Sequence, residues 1–337
     1  MKKIALVPIL ALLLASCAND PKDTVSTVVE TSSAEKYGLA LVDEANPEWQ
    51  YQNLRLYPVA ADAATIAAQG DLTNLKTLGE AMDTRGFRIL ERKQFGRQEA
   101  QWYNALTVQN KSGVPVFLMS GDVVTGGNQD RVVAQDQVIA GLEVKNIDVF
   151  CVEAGRSSYY DESAPEAEKQ VAAFKGYFSV ASPRVRTAVQ STGSQQQVWD
   201  AVADITKANG AESSTKTYAA LDRTESEQKA QRDAYLRFFD GKFADRSDVV
   251  GVVAVCGDKV IAVDIFGHPD LFKRQLPHLL HGYAADAVAQ GDTPPSASAP
   301  VAQEFQRVAR LAAPEAKGHD NAGKFAYEGK WVHLFKK

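Results

Sequence analysis

An α+β fold is the class this sequence predicts, and three observations predict it. Strand-like runs are grouped between residues 87 and 156, capped helical runs follow from residue 182, and hairpins close the second half. The regular strand-helix alternation of a doubly wound sheet is absent. No internal repeat at a fixed period is visible either.

The elements follow in order. Tyr51, Leu54, Leu56 and Tyr57 suggest a first strand closing at Pro58. Leu72, Leu75, Leu78 and Met82, three to four apart and followed by Gly86, predict one amphipathic helix of about three turns. Strands are expected over 87–92, 102–108, 116–119, 131–139 and 147–152, with turn formers at Asn110 to Gly113. Residues 156–169 read as an excursion loop. Ser182-Pro183 supplies an N-cap with proline at the first helical position, and Ser194 with Gln197 fits a capping box for a helix ending at Asn209-Gly210. A third helix spans about 225–239. Val249 to Val255 and Val260 to Phe266, apolar on both faces around Gly257-Asp258, predict a hairpin central to a sheet. Pro269-Asp270 opens a helix that Pro277 should kink or restart. A helix near 301–311 and a closing hairpin around Gly329 complete the chain.

With 337 residues and 45% hydrophobic content, the chain can bury a sizeable core. The net charge of −5 argues against a nucleic-acid binder, which needs a basic excess. Three cysteines, at 17, 151 and 256, are too few for a disulfide scaffold and lack zinc spacing. Cys151 and Cys256 fall in strands; two buried thiols are the default and a disulfide the alternative.

Lys2 and Lys3 precede an apolar run from Ile4 to Ala15, too short to span a bilayer but suited to an export signal. The run ends in Leu14-Ala15-Ser16-Cys17, which resembles the bacterial lipoprotein signal. That resemblance implies removal of residues 1–16, acyl chains on Cys17, and a protein tethered to the cell-envelope membrane. Ala18, where aspartate favours inner-membrane retention, tilts the expectation to the outer membrane. Residues 17–46 read as the lipidated cysteine and a flexible tether, leaving a single domain over 47–337, β-rich to about 156 and mixed beyond.

Polar groups that packing does not need concentrate in Gly121-Asp-Val-Val-Thr-Gly126-Gly127-Asn-Gln129-Asp130-Arg131 and in Glu153 and Arg156. The paired glycines free the backbone for positive φ or close approach to a ligand. No Walker or dinucleotide glycine signature is present. The functional reading is therefore a loop whose N–H groups and Arg131 face a small polar or anionic ligand. The bland reading is a two-glycine turn with Asp130 and Arg131 as a solvated ion pair. Glu153 or Asp130 would be the base of an enzyme, with Arg131 or Arg156 stabilising negative charge. Asp264 and His268, flanking the end of the central strand, are secondary candidates. His278 and His281 are three apart on a helix with no third ligand at a recognised spacing, so an exposed helix face is expected and no metal. No cofactor is indicated.

The runs Ser120 to Val132, Val149 to Arg156, Gly251 to Val255 and Val263 to Phe272 resemble an uncharacterised family, the ARG- and rhodanese/phosphatase-superfamily-associated protein domain, ARG being ADP-ribosylglycohydrolase. The similarity runs from about Trp49 to the end. It implies an association with ADP-ribose-processing and phosphatase-like proteins and suggests nucleotide- or ADP-ribose-like ligands, with no activity attached. Three functions stay open: ligand binding without turnover, a hydrolase of an ADP-ribose-like or phosphorylated compound, and an envelope scaffold without a small-molecule site.

Overall fold

The computed structural model describes residues 35–42, 46–91, 104–156, 173–296, 300–319 and 321–337. The signal segment, Cys17, residues 18–34 and 43–45 of the expected tether and the 157–169 part of the expected loop lie outside the described residues; residues 35–42, also read as tether, include a strand of the first sheet, Leu39–Leu41. Within them the fold is α+β, with three sheets. No described helix is long and apolar enough to cross a membrane.

The first sheet is antiparallel and holds β1 (Leu39–Leu41), β2 (Gln50–Tyr51), β3 (Leu54–Ala61), β13 (Val249–Cys256), β14 (Lys259–Phe266), β15 (Ala322–Tyr327) and β16 (Lys330–Lys336). Its order is β1-β3-β13-β14-β16-β15, with β2 folded back on β3. The hairpin read around Gly257-Asp258 therefore sits at the centre, as its two apolar faces require. Leu54, Leu56, Val252 and Ala254 pack on one face against α6 (Glu227–Phe239) and α7 (Pro269–Gln290). Tyr57, Val59, Val253 and Val263 pack on the other against α8 (Val301–Ala309). β3 does not close at Pro58. The Pro58 carbonyl accepts from Val42 N, just past the end of β1, and N and carbonyl of one strand residue face the same neighbour. The missing N–H thus costs no ladder bond to β13.

The second sheet has the order β12-β8-β9-β11-β6-β5, all antiparallel. Its strands are β5 (Phe87–Glu91), β6 (Ala105–Asn110), β8 (Asp122–Gly126), β9 (Arg131–Val133), β11 (Val144–Cys151) and β12 (Phe174–Val180). One face packs on α3 (Pro183–Thr192) and α4 (Gln195–Ala208) through Val123, Val132, Phe150, Val185 and Val198. The other packs on α2 (Leu78–Met82) and a three-stranded sheet of β4 (Lys76–Thr77), β7 (Val116–Leu118) and β10 (Gln137–Ile139).

Several expectations are corrected. The helix expected from Leu72 to Met82 is a 3-10 turn, the short β4 and a five-residue α2; the capping box of Thr77 and Glu80 starts the helix at Leu78. Leu72, Leu75 and Leu78 are all buried, so their spacing reports a core without a continuous helix. The strand expected over 131–139 is two strands in two sheets, parted around Asp136. β8, read as part of a loop, is a strand, and β12 was not foreseen. α7 continues through Pro277 without restarting. Two short helices also went unread: α1 (Ala63–Ala68), capped by Asp62, and α5 (Ala220–Arg223).

Candidate functional site

All seven residues singled out as ligand-binding in the glycine-bearing stretch and after the next strand, Gly126, Gly127, Gln129, Asp130, Arg131, Glu153 and Arg156, meet at one end of the second sheet. β8 ends at Gly126, β9 begins at Arg131 and β11 ends at Cys151, with Cys151 directly opposite Arg131. The turn from β8 to β9 needs its glycines. Gly126 has φ 113° and Gly127 φ 56°, and a Cβ on Gly127 would lie 2.5 Å from the Phe174 ring.

Two linked polar groups result. In the first, Asp130 accepts from Gly126 N at 2.9 Å and from the Thr217 hydroxyl at 2.6 Å. The Asp130 N–H donates to Glu153, and Arg156 spans Glu153, Asp130 and the carbonyls of Gly126 and Gly127. Burial pushes the Glu153 carboxyl up, but hydrogen bonds from Arg156 and the Asp130 N–H outweigh it and hold it below its ordinary value. In the second, the Arg131 guanidinium lies 3.5 Å from Glu91 and 3.3 Å from the Gln129 amide oxygen. The Cys151 thiol donates to that same oxygen, and the Gln129 amide donates to the Glu153 carbonyl. Gln129 joins the two groups. Beside them the Gln195 side chain exchanges two 2.8 Å bonds with the Cys151 backbone, continuing the ladder where a strand has ended.

Asp130 and Arg131 are not the solvated pair of the bland reading. Both are buried, and each has another carboxylate or guanidinium for a partner. Arg131 keeps one unmet need: its Nε is buried with no hydrogen-bond partner among the described residues. Such an orphan beside an ion pair is costly. Cys151 is a free buried thiol pushed up by burial, which opposes a nucleophilic role.

A family model described as ARPP-1, the ARG and Rhodanese-Phosphatase-superfamily-associated Protein domain, matches residues 44–334. The chain belongs to this family. The ARPP-1 match contains every residue of the cluster just described. No curated protein and no solved structure matches the chain.

The secondary candidates of the ARPP-1 domain separate. His268 caps α7, its Nδ1 accepting from Asp270 N at 3.1 Å. Asp264 turns inward, where Arg186 grips it at 2.6 and 3.0 Å, Tyr283 donates to it, and His333 Nε2 lies 3.1 Å away. His333 Nδ1 reaches Asp136 at 2.7 Å. Burial opposes charge on both groups, yet Arg186 holds Asp264 well below its ordinary value and Asp136 raises His333. Sequence reasoning missed Arg186, His333 and Asp136, as well as Glu91 and Thr217, because each partner is far away along the chain. His278 and His281 are not an exposed face: they are half-buried against the rings of Tyr177 and Phe178.

Proposed function

We propose that this ARPP-1 protein is a lipid-anchored cell-envelope protein, acylated on Cys17 and favouring the outer membrane, that binds a small polar ligand without turnover through the Gly126 to Arg131 turn, Glu153 and Arg156. The observation that carries the site is Arg131, a buried guanidinium at the end of the sheet whose Nε has no partner among the described residues. Two guanidiniums, Arg131 and Arg156, face three carboxylates, Glu91, Asp130 and Glu153. That balance suits a ligand that donates as well as accepts, such as a nucleoside or the ribose of an ADP-ribose-like compound, over a bare anion.

One observation favours the scaffold alternative: Arg156 spends its donors on Glu153, Asp130 and two loop carbonyls, which is what a structural knot requires. The hydrolase alternative has less support. Glu153, held below its ordinary value, is a weak base.

A thermal-shift screen of the protein against nucleotides, ADP-ribose, sugar phosphates and sugars separates these readings. A ligand at a hundred times its dissociation constant stabilises the native state by about 2.7 kcal/mol. Stabilisation that disappears in Gln129→Ala, which leaves every charged partner in place, supports the ligand site. A flat response across the panel, with Gln129→Ala merely less stable, supports the scaffold.

A further inference from the structure

At the opposite end of the β8-β9 hairpin, away from the Arg131 cluster, a cleft of about 750 Å³ opens between β11, α3 and the closing hairpin. That volume lies within the range of small-molecule sites. Ser120 and Asp136 line it, and Asp136 is the outer end of a buried chain of charges. From Asp136 the chain runs to His333 at 2.7 Å, on to Asp264 at 3.1 Å, and then to Arg186. The other Asp136 oxygen accepts from Ser120 N at 2.7 Å, and Gln190, also in the cleft, donates to the Ser120 hydroxyl.

A core gains nothing from such a chain. Well-packed apolar side chains in the same volume would be at least as stable, whereas four ionisable groups in series must each shed water. Its effect is to fix Asp136. One Asp136 oxygen meets His333 Nδ1 and the other accepts from Ser120 N, both at 2.7 Å, so Asp136 is held in one orientation where the cleft begins. A carboxylate oxygen has two lone pairs, so an Asp136 oxygen engaged once can accept again from a ligand.

The rest of the lining selects the chemistry. Neither sign of charge dominates: Asp148 faces Lys324 and Lys337, and the Lys324 ammonium donates to the Ala313 carbonyl at 2.7 Å. Among the described lining residues a phosphate would meet two carboxylates beside the two lysines, and no arginine to grip it in two places. Gln135 and Gln190 offer amide donors and acceptors, while Phe150, Phe325 and Phe335 offer ring surface. Carboxylate, amide and aromatic ring together match a molecule with hydroxyls at its edge and C–H groups on its face.

We propose that this cleft is a second binding site, distinct from the Arg131 cluster, and that its ligand is a neutral sugar of about disaccharide size. Asp136 accepts hydrogen bonds from the sugar hydroxyls, Gln190 donates, and Phe325 packs against the ring. His333 and Asp264 are positioning residues.

Calorimetric titration of the full chain with cellobiose, maltose, trehalose and N,N′-diacetylchitobiose, and with inorganic phosphate and ADP-ribose beside them, tests this. At least one neutral disaccharide should bind, and Gln190→Ala and Phe325→Ala should each weaken it ten-fold or more, with Gln129→Ala at the other site leaving it unchanged. Both variants alter partly exposed side chains outside the charge chain, and circular dichroism checks that they fold. No binding by any disaccharide overturns the proposal. So does disaccharide binding indifferent to both variants, and so does a cleft that takes the phosphate compounds instead.

Discussion

Asp122→Asn should make the protein less sensitive to rising pH. Asp122 is fully buried at the start of β8, accepting from Met119 N at 2.7 Å and from the Tyr177 hydroxyl at 2.9 Å. Burial pushes its carboxyl from 3.8 up to about 7, although both hydrogen bonds pull the other way. Between those values the folded chain holds a proton that the unfolded chain has released, so stability falls as pH rises. The contribution is whole below pH 3.8 and gone above pH 7. About three units at ~1.4 kcal/mol each give roughly 4 kcal/mol. Asparagine keeps an acceptor for Met119 N and has no proton to lose. Urea denaturation of both proteins at pH 4 and pH 8 reads the difference. Relative to wild type, the variant should gain on the order of 3–4 kcal/mol between the two pH values. A difference that stays constant with pH refutes the assignment of this titration to Asp122.

Asp264→Asn leaves the buried Arg186 guanidinium uncompensated and should cost about 3–5 kcal/mol by urea denaturation; a loss under ~1 kcal/mol would show that the pair behaves like an exposed one. Gly251→Ala places a Cβ 2.3 Å from the Asp264 carbonyl oxygen across a central ladder, and backbone cannot yield as a side-chain tip can. It should lower the melting temperature more than Gly241→Ala, whose Cβ meets nothing within 4 Å although its φ is 66°, and equal losses would contradict the register described here. Thr77→Ala removes the capping box of α2 and should cost about 1 kcal/mol, read by the same denaturation. Cys17→Ser should move the protein from the membrane to the soluble fraction on cell fractionation, and continued sedimentation with membranes would remove the acyl anchor from the account.

Local chemistry made much of the fold legible. Ser182-Pro183 and Ser194 start α3 and α4 where the sequence places them, and Gly257, at φ 59°, turns the central hairpin. These signals work because capping and positive φ are decided within a few residues. What failed depended on distant partners. Leu72 and Leu75 fall in one core with residues of β14 and α7, and Leu78 in another with residues of β7, so helical spacing misled. The strand over 131–139 broke because Asp136 leaves one sheet for the charge chain with His333, nearly two hundred residues away. Residues of the Arg131 cluster were legible as a concentration of polar groups, and β8, β9 and β11 bring them together. Glu91 and Thr217, which complete it, are set by sheet register, which no short-range pattern encodes.

The NMR signal of the Arg131 Nε–H in the full-length protein, titrated with ADP-ribose, adenosine and ribose 5-phosphate, reads the proposed site at its deciding atom. This N–H is buried and has no partner among the described residues, so a ligand seated at the cluster supplies it with an acceptor. That proton should show a saturable downfield shift and slower solvent exchange at the concentration that stabilises the fold. Saturating changes elsewhere with the Arg131 signal unmoved, or no change with any probe, would contradict the proposed site.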